Sequence, residues 1–219
     1  MKIASIQQIC KSAKRIELFS APGASVQWIS DGGAFYPLYN LPEMEEENVF
    51  ALFDIPEKKQ EKIHFEHKYQ LPEALSFADA TATETPLEFG NISIYARGRI
   101  LAPIKTSLGI IYINEKYLKP FSDAENGVQL YERYTPRGGV YIAVKEGFLL
   151  TGIILPYDII TKEFVAELET ISIHILFLHH QIGIQMRIGI IRIIPYDKAG
   201  VQHQLTMLGF FVCFRNVCV

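Results

Sequence analysis

Apolar residues recur at three- and four-residue intervals at the start of the chain. Ile3, Ile6, Ile9, Cys10 and Ala13 follow this spacing, and lysines and glutamines lie between them. Such spacing places the apolar side chains on one face of a helix. The pattern therefore predicts an amphipathic N-terminal helix.

Shorter segments with a different pattern follow the helix. Residues 15–20 (RIELFS), 25–30 (SVQWIS) and 34–39 (AFYPLY) are rich in β-branched and aromatic residues. Turn-forming residues separate them, most clearly at 31–33 (DGG). This arrangement predicts three successive strands.

The next region is charged and less regular. Asn40, Leu41 and Pro42 precede a run of glutamates, which predicts a helix beginning there and ending before Pro56. A solvated turn or short helix is predicted over 57–62, and a strand over 63–67. Residues 70–91 are rich in Ala, Thr, Glu and Pro without a clear period, which indicates a linker or long surface loop.

The stretch from 91 to 156 carries the clearest pattern. Six apolar segments alternate with turn residues and predict an antiparallel meander: 92–95, 99–105, 109–113, 128–134, 140–145 and 148–155. One helical turn is predicted over 115–120, and Thr161 with Glu163 indicates a further helix start. The predicted fold is α+β, mainly an antiparallel β meander with two to four flanking helices.

These segments predict a division into four parts. An N-terminal α/β half covers 1–69, a linker or loop covers 70–91, the meander with its helix covers 92–170, and an atypical apolar tail covers 171–219.

The tail differs sharply in composition from the rest. Residues 171–219 contain ten isoleucines, four of the six histidines and a single acidic residue, and their net charge is +3 against −6 for residues 1–170. An apolar helix or strand packed on the meander would explain this composition. A membrane-associated segment and translation in a shifted frame are the alternatives, although polar residues such as His179, His180 and Arg187 interrupt the length that a membrane span needs.

Overall composition narrows the class of protein. Of 219 residues, 49% are hydrophobic and 21% charged, which is typical of a globular chain. The net charge of −3 argues against non-specific binding to nucleic acid. Three cysteines imply no disulfide framework, and the first residues lack the apolar core of a signal peptide, so we expect a cytoplasmic protein.

Candidate chemistry is sparse. His64, Glu66 and His67 are weak candidates for a metal or acid–base site, since a strand places His64 and Glu66 on one face and His67 on the other. The glycine pairs at 32–33 and 138–139 lack the spacing of phosphate-binding loops. The sequence predicts no catalytic residue, no bound metal and no cofactor.

Two sets of meander residues are candidates for surface contacts. Tyr131, Tyr134 and Tyr141 are predicted to be exposed aromatics at an interface. A basic face is predicted if the strands pair suitably, and it would comprise Arg97, Arg99, Lys105, Arg133, Arg137 and Lys145.

The meander resembles one domain of a bacterial or phage sliding clamp. The resemblance covers 98–157 and is carried by 98–105 (GRILAPIK), 109–114 (GIIYIN), 117–120 (YLKP) and the closing 152–157 (GIILPY). The resemblance implies that this chain would bind DNA only as part of a clamp-like assembly. None of the residues that carry the resemblance has a function in that family.

Three functional hypotheses remain at the level of sequence. The first is a non-catalytic binding or assembly module that binds a protein partner or itself, and the small acidic body is also typical of an accessory protein of a phage or mobile element. The second is a clamp-like DNA-associated ring protein. The third is a metal-dependent hydrolase that uses His64, Glu66 and His67.

Overall fold

A computed structural model describes residues 2–88, 92–96, 98–122 and 127–158, together with the backbone of residues 193–195. The chain has an α+β fold in which most strands are antiparallel, as predicted. The helices are α1 (Ile3–Ser12), α2 (Glu46–Leu52) and α3 (Glu57–Gln60), and a 3₁₀ helix spans Glu115–Phe121. The strands are β1 (Arg15–Phe19), β2 (Val26–Ser30), β3 (Ala34–Tyr39), β4 (His64–Lys68), β5 (Thr85–Leu87), β6 (Ile92–Ala96), β7 (Arg99–Thr106), β8 (Gly109–Asn114), β9 (Gln129–Tyr134), β10 (Val140–Glu146), β11 (Leu149–Ile154) and β12 (Ile193–Pro195).

The strands form two sheets. The larger sheet has the order β4-β1-β2-β3-β11-β10-β9-β5, and the smaller has the order β12-β6-β7-β8. In the larger sheet β1 and β4 are parallel, while its other paired strands are antiparallel. The pairing of β3 with β11 joins the N-terminal strands to β9–β11.

The six predicted meander strands are all present but do not form one meander. Strands β6–β8 belong to the smaller sheet and β9–β11 to the larger. The 3₁₀ helix separates the two groups, and its Phe121 is buried against the larger sheet next to Gly152. Strands β8 and β9 therefore do not form a hairpin, because they belong to different sheets and the 3₁₀ helix that follows β8 packs into the core.

The chain divides into two compact units. The first comprises residues 1–90 and 102–157, and the second comprises 91–101 and 158–219. This division differs from the boundary predicted at 70–91, because β3 and β11 place both predicted halves in one sheet. In the second unit, β6 pairs antiparallel with β12 and with the first residues of β7. The helix predicted from Thr161 and the structure of most of the tail lie outside the described residues.

The first unit has apolar side chains on both faces of its larger sheet. On one face, Ile6 and Ile9 of α1 and Phe50 of α2 pack with buried residues of the strands. On the other face, a cluster that includes Trp28 and Phe35 is packed against residues of the predicted linker. These linker residues are Leu71, Leu75 and Phe77. We call residues 71–84 the covering segment, since they lie over this second face.

The second helix begins later than its sequence predicts. The predicted start lies at 40–42, whereas α2 begins at Glu46. Asn40 has the left-handed φ of 56°. The buried Gln27 side chain donates to Pro42 O at 2.6 Å and accepts from Met44 N at 3.0 Å. These hydrogen bonds use backbone groups that a helix would need, so the chain stays non-helical up to Glu45.

Candidate functional site

A buried ion cluster joins the covering segment to the larger sheet. Arg133 Nε and Nη2 donate to Glu84 Oε2 at 3.0 and 2.6 Å, and Lys145 Nζ donates to Glu84 Oε1 at 2.7 Å. The side chains of Arg133, Lys145 and Glu84 are only 1%, 5% and 13% exposed. Strand alternation places Arg133 of β9 and Lys145 of β10 on the same face, the one that the covering segment lies over.

Arg133 also binds the backbone of the covering segment. Its Nη1 donates to the carbonyl oxygens of Ser76 and Ala78 at 3.1 and 2.8 Å, and its Nη2 donates to that of Asp79 at 3.1 Å. Burial by itself would raise the pKa of Glu84, but the hydrogen bonds from Lys145 and Arg133 outweigh it and lower the pKa. The carboxylate therefore stays ionised and holds both cations.

This cluster corrects the predicted basic face. Arg133 and Lys145 are buried and paired, so they present no charge to solvent. Arg99, Lys105 and Arg137 are exposed, and Arg97 lies outside the described residues. The prediction failed because it treated this face of the sheet as solvent-exposed, while a segment distant in sequence covers it.

The three predicted interface tyrosines do not form an exposed set. Tyr141 is 1% exposed, and its hydroxyl accepts from Ser76 N at 2.9 Å. Tyr131 and Tyr134 are half-buried, and Lys145 Nζ lies 4.8 Å from the centre of the Tyr131 ring. Tyr141 thus belongs to the core under the covering segment and is not available to a partner.

Tyr134 belongs to a second polar cluster. Its hydroxyl donates to Glu132 Oε1 at 2.6 Å, and Ser107 Oγ donates to the same atom at 2.6 Å. Ser107 N donates to Glu132 Oε2 at 3.0 Å, and the hydroxyl oxygens of Ser107 and Tyr134 are in close contact. Burial alone would raise the pKa of Glu132, but the hydrogen bonds from Ser107 and Tyr134 lower it overall. An ionised Glu132 is a weak base, so the cluster is suited to anchoring the β7–β8 turn rather than to activating Ser107.

The His64, Glu66 and His67 side chains do not converge on one point. His64 Nε2 lies 2.7 Å from Glu66 Oε1, while His67 Nδ1 lies 3.3 Å from Glu45 Oε2. Hydrogen bonds from His64, then Lys68 and Arg15, lower the pKa of Glu66 to about 2. The Glu66 carboxylate is therefore already hydrogen-bonded to its neighbours on β1 and β4.

No metal-binding constellation stands out in the described part of the chain. Across those residues, no group of three or more His, Cys, Asp or Glu side chains is arranged to hold a metal ion. Cys10 is a free and buried thiol whose pKa is raised to about 12, first by burial and then by the nearby Asp31. A thiol with that pKa is protonated and unreactive at neutral pH.

Exposed apolar side chains are concentrated at two hairpin turns. Phe148 and Leu149, where β10 turns into β11, are 90% and 59% exposed. Leu108 and Ile110, where β7 turns into β8, are 67% and 62% exposed. The sequence pattern places these residues in strands and turns, but it does not show which apolar positions the sheets leave uncovered. An apolar residue inside a predicted turn is the signal that was available.

Comparison with protein-family models, curated proteins and solved structures found no match to this chain. Within the described residues, no helix has the length and apolar character needed to cross a membrane.

Proposed function

We propose that this chain is a non-catalytic binding or assembly module. The exposed hairpin turns carry this proposal. Phe148 is a large aromatic side chain that is 90% exposed and adjoins the exposed Leu149. Aromatic and aliphatic groups of this kind gain most when they are buried against a partner.

The polar clusters support a structural role for the charged residues. Glu84 is bound by Arg133 and Lys145, and Glu132 is bound by Ser107 and Tyr134. Each carboxylate accepts at least three hydrogen bonds from groups of the protein. Such groups position the covering segment and the β7–β8 turn and are not poised for proton transfer to a substrate.

The alternative of a metal-dependent hydrolase has less support. It requires His64, Glu66 and His67 on one ion, but His67 contacts Glu45 at the start of α2 while His64 contacts Glu66. A clamp-like role on DNA would call for an exposed cationic face, and burial removes Arg133 and Lys145 from it.

Site-specific photo-crosslinking in living cells tests the proposal. A photoreactive phenylalanine analogue replaces Phe148 in one variant and Leu108 in another, within the full chain. We expect a crosslinked protein product at one or both positions. The matched control carries the analogue at Leu52, which is also exposed but lies at the end of α2.

The proposal would be wrong if neither turn gave a crosslinked protein above the Leu52 control. It would also be wrong if the purified chain hydrolysed an ester, amide or phosphoester substrate and His64→Ala abolished that activity. The second outcome would make His64 and Glu66 of β4 the candidate catalytic residues.

A further inference from the structure

The two exposed hairpin turns lie toward opposite ends of β9. Lys145 of β10 pairs with Gln129 at the start of β9, and the β10–β11 turn follows directly. Ser107 of the β7–β8 turn instead donates to Glu132 and contacts the hydroxyl of Tyr134, the last residue of β9. The first unit thus presents two separate apolar sites.

The β10–β11 turn has acidic neighbours. We define the Phe148 surface as Phe148, Leu149, Tyr39, Asp79 and Glu146. The Tyr39 hydroxyl donates to Leu150 O at 3.0 Å, and Asp79 Oδ1 accepts from Leu150 N at 2.9 Å. Glu146 pairs directly with Leu149 across the hairpin. Two carboxylates therefore flank a patch of three exposed apolar side chains.

Two exposed basic residues lie on β7 and in the turn after β9, at the end of β9 that the β7–β8 turn contacts. We define the Leu108 surface as Leu108, Ile110, Lys105 and Arg137. Lys105 is exposed two residues before Ser107. Arg137 is exposed in the turn that follows Tyr134, whose hydroxyl contacts Ser107. Glu132 also lies here, but it is buried and already bound, so the exposed charged residues that define this surface, Lys105 and Arg137, are both positive.

We propose that copies of this chain associate head-to-tail, with the Phe148 surface of one copy packed on the Leu108 surface of the next. The apolar residues supply buried area, and the flanking carboxylates of Asp79 and Glu146 meet the cations Lys105 and Arg137. Pairing a surface with itself would instead place like charges together, which opposes a symmetric contact. This inference rests on the proposed function and names the partner as a second copy.

Sedimentation velocity on the full chain tests the inference. Wild-type protein associates as its concentration rises, and the association weakens with salt because screening shortens from about 10 Å at 0.1 M to about 3 Å at 1 M. Phe148→Asp and Leu108→Asp each weaken the association by at least about tenfold, since every contact needs both surfaces. Leu52→Gln, at an exposed apolar residue of α2, has no effect.

Mixing the two variants gives the decisive measurement. Phe148→Asp protein keeps an intact Leu108 surface, and Leu108→Asp protein keeps an intact Phe148 surface. An equal mixture therefore forms a one-to-one heterodimer that grows no further. Unchanged unfolding temperatures of both variants show that the substitutions act on the surface and not on the fold.

Any of three sedimentation results would overturn the inference: a monomeric wild type at all concentrations, one variant that associates as wild type does, or a mixture that yields no heterodimer. A crosslink from Phe148 to a different protein would also overturn self-association. That last result leaves the chain a binding module, so failure of the inference is distinguishable from failure of the proposed function.

Discussion

Glu84→Gln removes the carboxylate that balances two buried cations while keeping the shape of the side chain. In the wild-type protein the side chains of Arg133 and Lys145 are 1% and 5% exposed, so little water reaches them. Three charge-assisted hydrogen bonds become bonds to a neutral amide or are lost. The substitution therefore tests whether this cluster holds the covering segment on the sheet.

Glu84→Gln is expected to lower the free energy of unfolding considerably, although it replaces a single carboxylate oxygen by an amide nitrogen. Removing one partner of a buried ion pair typically costs about 3–5 kcal/mol, because the remaining charge is left buried without its partner. The glutamine oxygen still accepts a hydrogen bond, so we expect about 3 kcal/mol, the lower end of that range. Urea unfolding at neutral pH, followed by circular dichroism, measures the difference in the free energy of unfolding.

The matched control is Glu88→Gln, four residues further along the chain and exposed. We expect it to change stability by less than about 0.5 kcal/mol. Equal effects of the two substitutions would refute the reasoning, because they would mean that the buried cluster contributes no more than a surface glutamate.

The same pair of proteins gives a pH test. Because the pKa of Glu84 is lower in the folded than in the unfolded state, its contribution is complete above the unfolded value of about 4.3 and is lost as the pH falls through the folded value. The stability difference between wild type and Glu84→Gln should therefore be constant near neutrality and shrink in acid below about pH 4. A difference that grew on acidification would contradict the assigned ion pair.

Three further predictions concern the core. Gly152→Ala places a methyl group 2.6 Å from the Phe121 ring, so we expect the free energy of unfolding in urea to fall by about 1–3 kcal/mol. Adding Phe121→Leu should recover part of this stability, and no recovery would exclude the clash as the cause. Ile142→Ala, at a fully buried position, should lower the free energy of unfolding by about 2–5 kcal/mol, and Thr83→Ala, at an exposed position, by less than about 0.5 kcal/mol. Equal effects would show that Ile142 does not belong to the core. Cys10 should resist alkylation in the folded chain at pH 8 and react in denaturant, as peptide mass mapping would show; rapid labelling of the native protein would contradict its burial.

Local patterning was enough to predict most of the elements. The period of Ile3, Ile6 and Ile9 determines α1, and the apolar segments bounded by glycines determine β10 and β11. These signals are read within one element, so they need no knowledge of the rest of the chain. The start of α2 was one exception, since Gln27 lies on a strand far from the residues that it keeps out of the helix. Strand β5 was another, because it lies within the predicted linker or loop and is defined by its pairing with β9.

Pairing between strands was not available from the same patterns. The parallel contact of β1 with β4 and the junction of β3 with β11 join residues that lie far apart in sequence. The alternation of apolar and polar residues within a strand shows which of its side chains share a face, but it does not show which other strand pairs with it. The division of the predicted meander into two sheets was for this reason a result of the tertiary structure.

The candidate surfaces show the same limit at the level of single residues. Alternation correctly places Arg133 and Lys145 on one face of the sheet, and it is equally consistent with an exposed cationic surface or a buried ion cluster. The sequence by itself determined most of the elements and which side chains of each strand share a face. Only the tertiary structure decided that Glu84 and the covering segment lie over that face while Phe148 and Leu108 stay exposed, because burial depends on contacts between residues distant in sequence.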